Sequence, residues 1–205
     1  GGALAWESLA DDIVEHSKWS RQISLPEIGN IGQKKISQAT VTVVGIGGLG
    51  CPAASILAAC GVGKIILVAG ARPNFVKLAP LCEQFAKLGL DSLVVHTGQH
   101  FDKKMSDIFF EELHISQPKH FLNIHGGSHG QMTGKMIEAV EKVLFREEPD
   151  IVLVYGDTNS TLAGSLAAAK LNIPIAHVEA GLRSFNREMP EEINRVLTDH
   201  LSKLL

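Results

Sequence analysis

Five short runs of β-branched and aliphatic residues, at 41–44, 65–68, 93–95, 151–155 and 173–178, are each followed within three positions by a glycine. Between them stand longer segments, 52–60, 75–88, 103–113, 135–147, 160–171 and 191–205, several with apolar residues at i, i+3 and i+4. This alternation constrains the chain to βαβ units around a largely parallel sheet. Runs that are apolar at successive positions suit strands buried on both faces, and a glycine after a strand supplies the tight turn into the next helix. The expected fold is α/β, a doubly wound, mostly parallel sheet of five to seven strands in one continuous body. One or two amphipathic helices over 4–38 precede it as a helical N-terminal extension. The segment 116–133, rich in Gly, His, Ser and Pro, reads as a loop with one short strand at 121–124.

Composition removes several classes of function. The chain has 205 residues, 45% of them hydrophobic and 20% charged, which suits a folded domain with a substantial core. A formal net charge of −3 leaves no basic footprint, so neither nucleic acid nor an anionic membrane is an expected partner. The longest apolar stretch, 56–71, is interrupted by Lys64 and several glycines and does not suit a membrane span. The first residues carry acids where a secretory signal needs a basic region, so a cytoplasmic location is expected. Cys51, Cys60 and Cys82 are odd in number and lack Cys-x-x-Cys spacing, which speaks against a disulfide framework or zinc knuckle. His96, His125 and His129 lie in different segments without the i, i+4 pairing of a helical zinc site, and no metal is expected.

Open parallel sheets bind ligands outside the carboxyl ends of their strands. Polar residues follow the strand runs at those places: Arg72, Gln99 with His100, Asp157 with Thr158, and Glu179 with Arg183. The fold rule puts them along one edge.

Gly45-Ile-Gly47-Gly-Leu-Gly50 follows a strand run and opens a helical one, the context of a nucleotide fingerprint. With Ser20-Arg21-Gln22-Ile23, Leu25-Pro26, Gly32-Gln33 and Gly61-Val62-Gly63-Lys64, this stretch resembles the start of the ubiquitin-activating-like enzymes that adenylate sulfur-carrier proteins, over about residues 20–64. In that family the next strand ends in an Asp that holds the ATP ribose. Here Ala69 stands there, and a methyl group cannot accept a hydrogen bond from a hydroxyl. Gly45, Gly47 and Gly50, with Arg21 as a surface or docking charge, are therefore read as a vestigial nucleotide loop kept for tight helix–strand packing.

From Lys64 the pattern changes. Gly70-Ala-Arg72-Pro73, Lys77, Thr97-Gly-Gln99-His100, Ser128-His129-Gly130-Gln131, Gly156-Asp157-Thr158-Asn159, His177-Val-Glu179-Ala-Gly-Leu-Arg183 and Met189-Pro190-Glu191-Glu192-Ile-Asn194-Arg195 occur in this order. Together they resemble the N-terminal half of the non-hydrolysing UDP-N-acetylglucosamine 2-epimerases, over about residues 64–205. The resemblance implies a Rossmann-like sheet, one half of a two-domain architecture of the GT-B kind, acting in cell-envelope polysaccharide biosynthesis.

It also implies a chemistry: elimination of UDP to a glycal and its re-addition, without a nicotinamide or other cofactor. Inverting a stereocentre beside the anomeric carbon needs a base on one face and an acid on the other, and the resemblance assigns Asp157, Glu179 and Glu191 to that work. Asp157 could instead cap the following helix, and Glu191, next to Pro190, could simply favour a helix dipole. A diphosphate leaving group needs cations and backbone N–H donors, for which Arg72, Lys77 and Arg183 are the candidates; His129 and His177 are candidates for contact with the sugar or for support behind it, His100 for ordering its loop, and Gln99 and Thr158 complete the substrate-binding set. The expected partner is a UDP-sugar.

The two resemblances divide the chain at 1–63 and 64–205 and meet on the strand at 65–68, which can serve both in one continuous sheet. The family's second half is not matched before the chain ends at Leu205, so an isolated chain is expected to keep carboxylates without a complete substrate site, and to self-associate through the uncovered face. A rival reading is an ATP-binding adenylating fragment. Another is a folded module without catalysis.

Overall fold

The computed structural model of the protein describes residues 18–69, 72–97, 118–124 and 126–205, with residues 72–76 described by their backbone only. Two short helices, α1 (Ser20–Ile23) and α2 (Gly29–Gln38), lead into β1 (Thr40–Val44), α3 (Gly50–Ala59), β2 (Lys64–Ala69), α4 (Arg72–Leu88) and β3 (Asp91–His96). After β4 (His120–Phe121) come α5 (His129–Glu147), β5 (Ile151–Tyr155), α6 (Asn159–Lys170), β6 (Ile175–Val178) and α7 (Pro190–Leu201). The expected helix 103–113 and the N-terminal extension before residue 18 lie outside the described residues.

Among the described residues six strands pair in parallel, in the order β4-β3-β2-β1-β5-β6. Alternation along each strand explains the layers. Val41 and Val43 of β1 and Ile65, Leu67 and Ala69 of β2 face a core completed by α3 and α4, with Leu78 and Phe85 fully buried in it. Val44, Ile66, Val68, Val152 and Val154 face the opposite core, against Met136, Val140 and Leu144 of α5 and Ala163 and Ala167 of α6. Burying both faces is what the continuous apolar runs require.

The strand order carries one consequence for the site. The chain builds β1, β2, β3 and β4 in one direction and then returns to add β5 on the other side of β1, which makes the β1/β5 seam the switch point of the sheet. β1 pairs in register with β2 on one side (Val43↔Leu67) and with β5 on the other (Val43↔Leu153). The strand preceding residue 64 is therefore an interior strand of the sheet that holds β2 and β5.

Several boundaries move for identifiable reasons. α5 begins at His129 rather than at 135, because Ser128 accepts from the Gln131 N–H while the Gln131 side chain accepts from the Ser128 N–H, a reciprocal capping box. The short strand expected at 121–124 is His120–Phe121. α7 stops at Leu201 instead of running to 205; the chain then lies along β6, with Lys203 N donating to Ile175 O at 2.9 Å and His177 N donating to Leu204 O at 3.0 Å. The edge strand thus gains partners that a longer helix would have denied it.

Among the described residues no helix is long and apolar enough to cross a membrane. The three cysteines are free and partly buried. Cys51 and Cys82 pack against the α3/α4 core, and burial pushes the Cys82 thiol up to about 11.

Candidate functional site

At the carboxyl end of the β1/β5 seam a cleft of about 480 Å³ opens. It is lined on one side by the loop Gly45 to Gly50, on the other by Gly156, Asp157, Thr158 and Ser160 after β5 and Glu179 after β6, with Tyr155 and Thr97 below. Its size is that of a small-ligand site. The glycine loop read as vestigial is thus one wall of the cleft holding two of the three expected carboxylates.

The loop's close packing is visible in the same geometry. Gly45 adopts φ +101°, a conformation L side chains avoid, and a Cβ on Gly50 would collide with the Gly45 carbonyl oxygen. Lys77, on α4, reaches the outer side of this loop: its Nζ lies 4.0 Å from where a Cβ on Gly48 would stand. It borders the loop without lining the cleft.

Asp157 and Glu179 are brought close by adjacent strand ends. Glu179 Oε2 lies 3.5 Å from the position of a Cβ on Gly156, the residue before Asp157. Glu179 itself sits at φ +68°, in the left-handed region, where a non-glycine residue costs on the order of 1–3 kcal/mol. A strained acid at a strand end beside a second acid is a configuration packing alone does not call for.

Asp157 is not the cap of α6. Thr158 is: its side chain accepts from Thr161 N at 3.3 Å, leaving the Asp157 carboxylate to Arg195, whose NH2 donates to Asp157 Oδ2 at 2.6 Å. Hydrogen bonding to Asp157 raises the Arg195 pKa further, securing its charge. The Arg195 NH1 also donates to Glu192 Oε2 at 2.8 Å. Next to it, Asn194 Nδ2 donates to the Asp157 carbonyl at 2.8 Å and to Asn159 Oδ1 at 3.1 Å. Asn159 Nδ2 in turn lies 3.1 Å from His129 Nδ1, which places His129 at the rim of the same sheet edge.

Three candidates stand outside the lining of the cleft. His177, a candidate for contact with the sugar or for support behind it, has a fully buried side chain, with Nδ1 2.6 Å from Asp199 Oδ1 and Nε2 2.8 Å from the Gly156 carbonyl, so it lies beneath the cleft. Arg183, a candidate for the diphosphate, has its NH2 held 2.6 Å from Asp199 Oδ2 while its NH1 donates to Leu182 O, and it lines a separate groove with Phe185 and Leu197. In both cases Asp199 captures the side chain. Glu191 stands half-exposed on the first turn of α7 and does not line the cleft. Its neighbour Glu192 is the buried acid, accepting from Ser184 N, Phe185 N, Ser184 Oγ and Arg195, and the Ser184 N–H in particular holds its carboxyl below the usual range.

Other candidates fall elsewhere. Arg21 is exposed on α1, whose neighbours Trp19 and Gln22 bond to Ala59 O and Cys60 O at the amino end of β2, the edge opposite the cleft. Gln99, His100 and His125 lie outside the described residues, as does the side chain of Arg72, the first residue of α4. No group of three or more His, Cys, Asp or Glu among the described residues is arranged to hold a metal ion.

Residues given no role from the sequence adjoin the cleft: Asn194, Arg195 and Asp199 of α7, and Thr97. The signal for Asn194 and Arg195 was their place in the Met189 to Arg195 motif, whereas the burial of Glu192, Asn194, Thr198 and Asp199 on one helix is visible only in the structure. A buried helix face that is polar must be paid for by partners. Thr97 is 1% exposed, lines the cleft, and its Oγ1 has no hydrogen-bond partner among the described residues.

Comparison with known proteins gives two matched segments. The UDP-N-acetylglucosamine 2-epimerase family model matches residues 84–205, and the ThiF family model matches residues 19–70. A UDP-N-acetylglucosamine 2-epimerase homolog of Methanococcus maripaludis is 59% identical over 142 residues, covering 69% of this chain and 40% of that protein. The UDP-2,3-diacetamido-2,3-dideoxy-D-glucuronate 2-epimerase of Pseudomonas aeruginosa is 59% identical over 143 residues, with the same coverage of 69% and 40%. The crystal structure of Methanocaldococcus jannaschii UDP-GlcNAc 2-epimerase in complex with UDP-GlcNAc and UDP aligns with a TM-score of 0.56 at 55% identity, over 69% of this chain and 39% of that one. The chain spans about 40% of the length of the curated relatives it matches. TcdA (CsdL), at 14% identity and a TM-score of 0.51 over 79% of this chain, shares the fold.

Proposed function

Because the chain belongs to the UDP-N-acetylglucosamine 2-epimerase family, we propose that it supplies the acid/base wall of an enzyme that interconverts UDP-N-acetylglucosamine and UDP-N-acetylmannosamine. The observation that carries this reading is the pairing of Asp157 and Glu179 on adjacent strand ends in one cleft. One carboxylate takes the proton from carbon 2 of the sugar; the C–H electrons form the carbon 1–carbon 2 double bond, and UDP leaves with the glycosidic electron pair. Re-addition of UDP with protonation from the opposite face gives the epimer. No redox step occurs.

In this reading Thr158 offers its hydroxyl to the ligand and the backbone of the glycine loop faces the charge that develops on the leaving group, with Lys77, which borders that loop, kept as a candidate for the diphosphate. Arg72, Gln99, His100 and His129 stay candidates for substrate contact and Glu191 for the third acid. The protein works in the cytoplasm and self-associates through the face around Leu182, Phe185, Ile193 and Leu197, which are 60%, 87%, 47% and 43% exposed.

The test is proton NMR of the purified chain with UDP-N-acetylglucosamine in deuterated water. Exchange of the carbon-2 proton, or epimer formation, abolished by Asp157→Asn or Glu179→Gln, supports the proposal. A folded chain giving neither, and no binding of the nucleotide sugar, counts against it. One observation favours a second reading, an ATP-binding adenylating fragment: the Gly45–Gly50 loop lines the cleft. Ala69, a buried methyl at the end of β2, speaks against it, and ATP–pyrophosphate exchange by the purified chain is the outcome that would establish it.

A further inference from the structure

His177 and Asp199 form a buried unit linking the two turns that carry the carboxylates. His177 lies on β6, two residues before Glu179; its Nε2 faces the Gly156 carbonyl, one residue before Asp157, at 2.8 Å. Its Nδ1 faces Asp199 Oδ1 at 2.6 Å, and the ring is fully buried. A backbone carbonyl only accepts, so Nε2 must carry a hydrogen.

The state of Nδ1 depends on Asp199. The other Asp199 oxygen receives the Arg183 NH2 at 2.6 Å and the Gly181 N–H at 3.1 Å, both of which only donate. Burial alone would raise the Asp199 pKa, yet the hydrogen bonds from Arg183, Gly181 and His177 outweigh it and leave the carboxyl below its ordinary range. An ionised Asp199 can only accept, so Nδ1 carries a hydrogen as well. Each partner of the ring is thus an acceptor. The charged groups meeting here are Asp199 from α7 and Arg183 from the turn after β6, while β5 contributes the neutral Gly156 carbonyl.

We propose that His177 is held as a doubly protonated imidazolium, with Asp199 as its counter-ion, and that this pair positions the Asp157 and Glu179 turns relative to each other. The pair does not touch substrate. His177 fixes the end of β5 through Gly156, and Asp199 fixes the turn after Glu179 through Gly181 and Arg183. A neutral imidazole could satisfy one of the two acceptors and would release either the Asp157 turn or α7. The inference rests on the reading that Asp157 and Glu179 are the acid/base pair, but the ring's protonation state is measurable without it.

The experiment is long-range proton–nitrogen NMR of the full chain with ¹⁵N-labelled histidine at neutral pH, the His177 signal being identified by its loss in His177→Gln. Both ring nitrogens should show protonated shifts; in Asp199→Asn the ring should revert to a single-hydrogen tautomer, and the backbone amides of Asp157 and Gly181 should shift. Affinity for UDP-N-acetylglucosamine, followed by titration, should fall at least about tenfold in that variant. A neutral tautomer in the unsubstituted chain overturns the proposal, even if Asp199→Asn fails to fold. So does a folded Asp199→Asn whose ring state and Asp157 amide are unmoved. A chain with an imidazolium His177 that binds no nucleotide sugar keeps the device and removes the functional reading instead.

Discussion

Arg195 NH2 meets Asp157 Oδ2 at 2.6 Å, joining the last described helix to the turn after β5 across 38 positions of sequence. The contact aims one of the two cleft carboxylates, and Asn194 holds the carbonyl of the same residue. Arg195→Ala is expected to let the Asp157 side chain rotate away and to lower any carbon-2 exchange by about 100-fold, the cost of misplacing a reacting group by ~1 Å. Arg195→Lys should recover little, since one ammonium cannot bond Asp157 and Glu192 with the planar geometry of a guanidinium. Carbon-2 proton exchange measured on both variants checks this, and full activity in Arg195→Ala would remove the positioning role.

Acid should destabilise the fold in two windows. Burial lowers the His96 pKa to about 4 from an ordinary 6.5, so between those values the unfolded chain binds the extra proton and stability falls as pH drops. Glu147 is the reverse type of group with the same sign of effect. Burial opposes its ionisation, but hydrogen bonds from Lys64, His120 and Lys119 bring its pKa down to about 2 from 4.5. Its contribution is therefore complete above about 4.5 and lost as pH falls towards 2. Urea unfolding at a series of pH values should show both declines, with Glu147→Gln flattening only the lower one.

The glycine loop tolerates no side chain at its closest approach. Gly50→Ala pushes a methyl into the Gly45 carbonyl oxygen and should cost about 1–3 kcal/mol of stability, as overpacking of a closed site does. A loss of less than about 0.5 kcal/mol in urea unfolding would mean that the loop relaxes freely.

The start of α5 depends on its capping box. Ser128→Ala removes the acceptor for Gln131 N and should cost about 1 kcal/mol, whereas Thr133→Ala, whose hydroxyl bonds the His129 carbonyl inside the exposed first turns, should cost less. The difference in unfolding midpoints between the two variants measures it.

Much of this molecule is local. The apolar runs at 41–44, 65–68, 93–95 and 151–155 became β1, β2, β3 and β5 because uninterrupted β-branched residues suit strands covered on both faces, and glycines followed them where turns were needed. That Asp157, Thr158 and Glu179 line one cleft was legible because strand ends in such a sheet share one edge. Local pattern also misled. Pro190 and the acids after it marked a helix start correctly, yet the sequence could not say that Glu192 turns inward and Glu191 does not.

What the sequence by itself determined was the kind of each element, the parallel layering and the position of the polar residues at strand ends, since these follow from periodicity and from backbone preferences within a few residues. The tertiary structure alone decided that β1 sits between β2 and β5, which sets the Gly45–Gly50 loop opposite Asp157 and Glu179. It also decided that Asp199, remote in sequence, draws His177 and Arg183 away from the cleft. Strand neighbours and buried ion pairs are chosen by the packing of segments far apart in the chain, and the free energy that selects them is absent from any local stretch of residues.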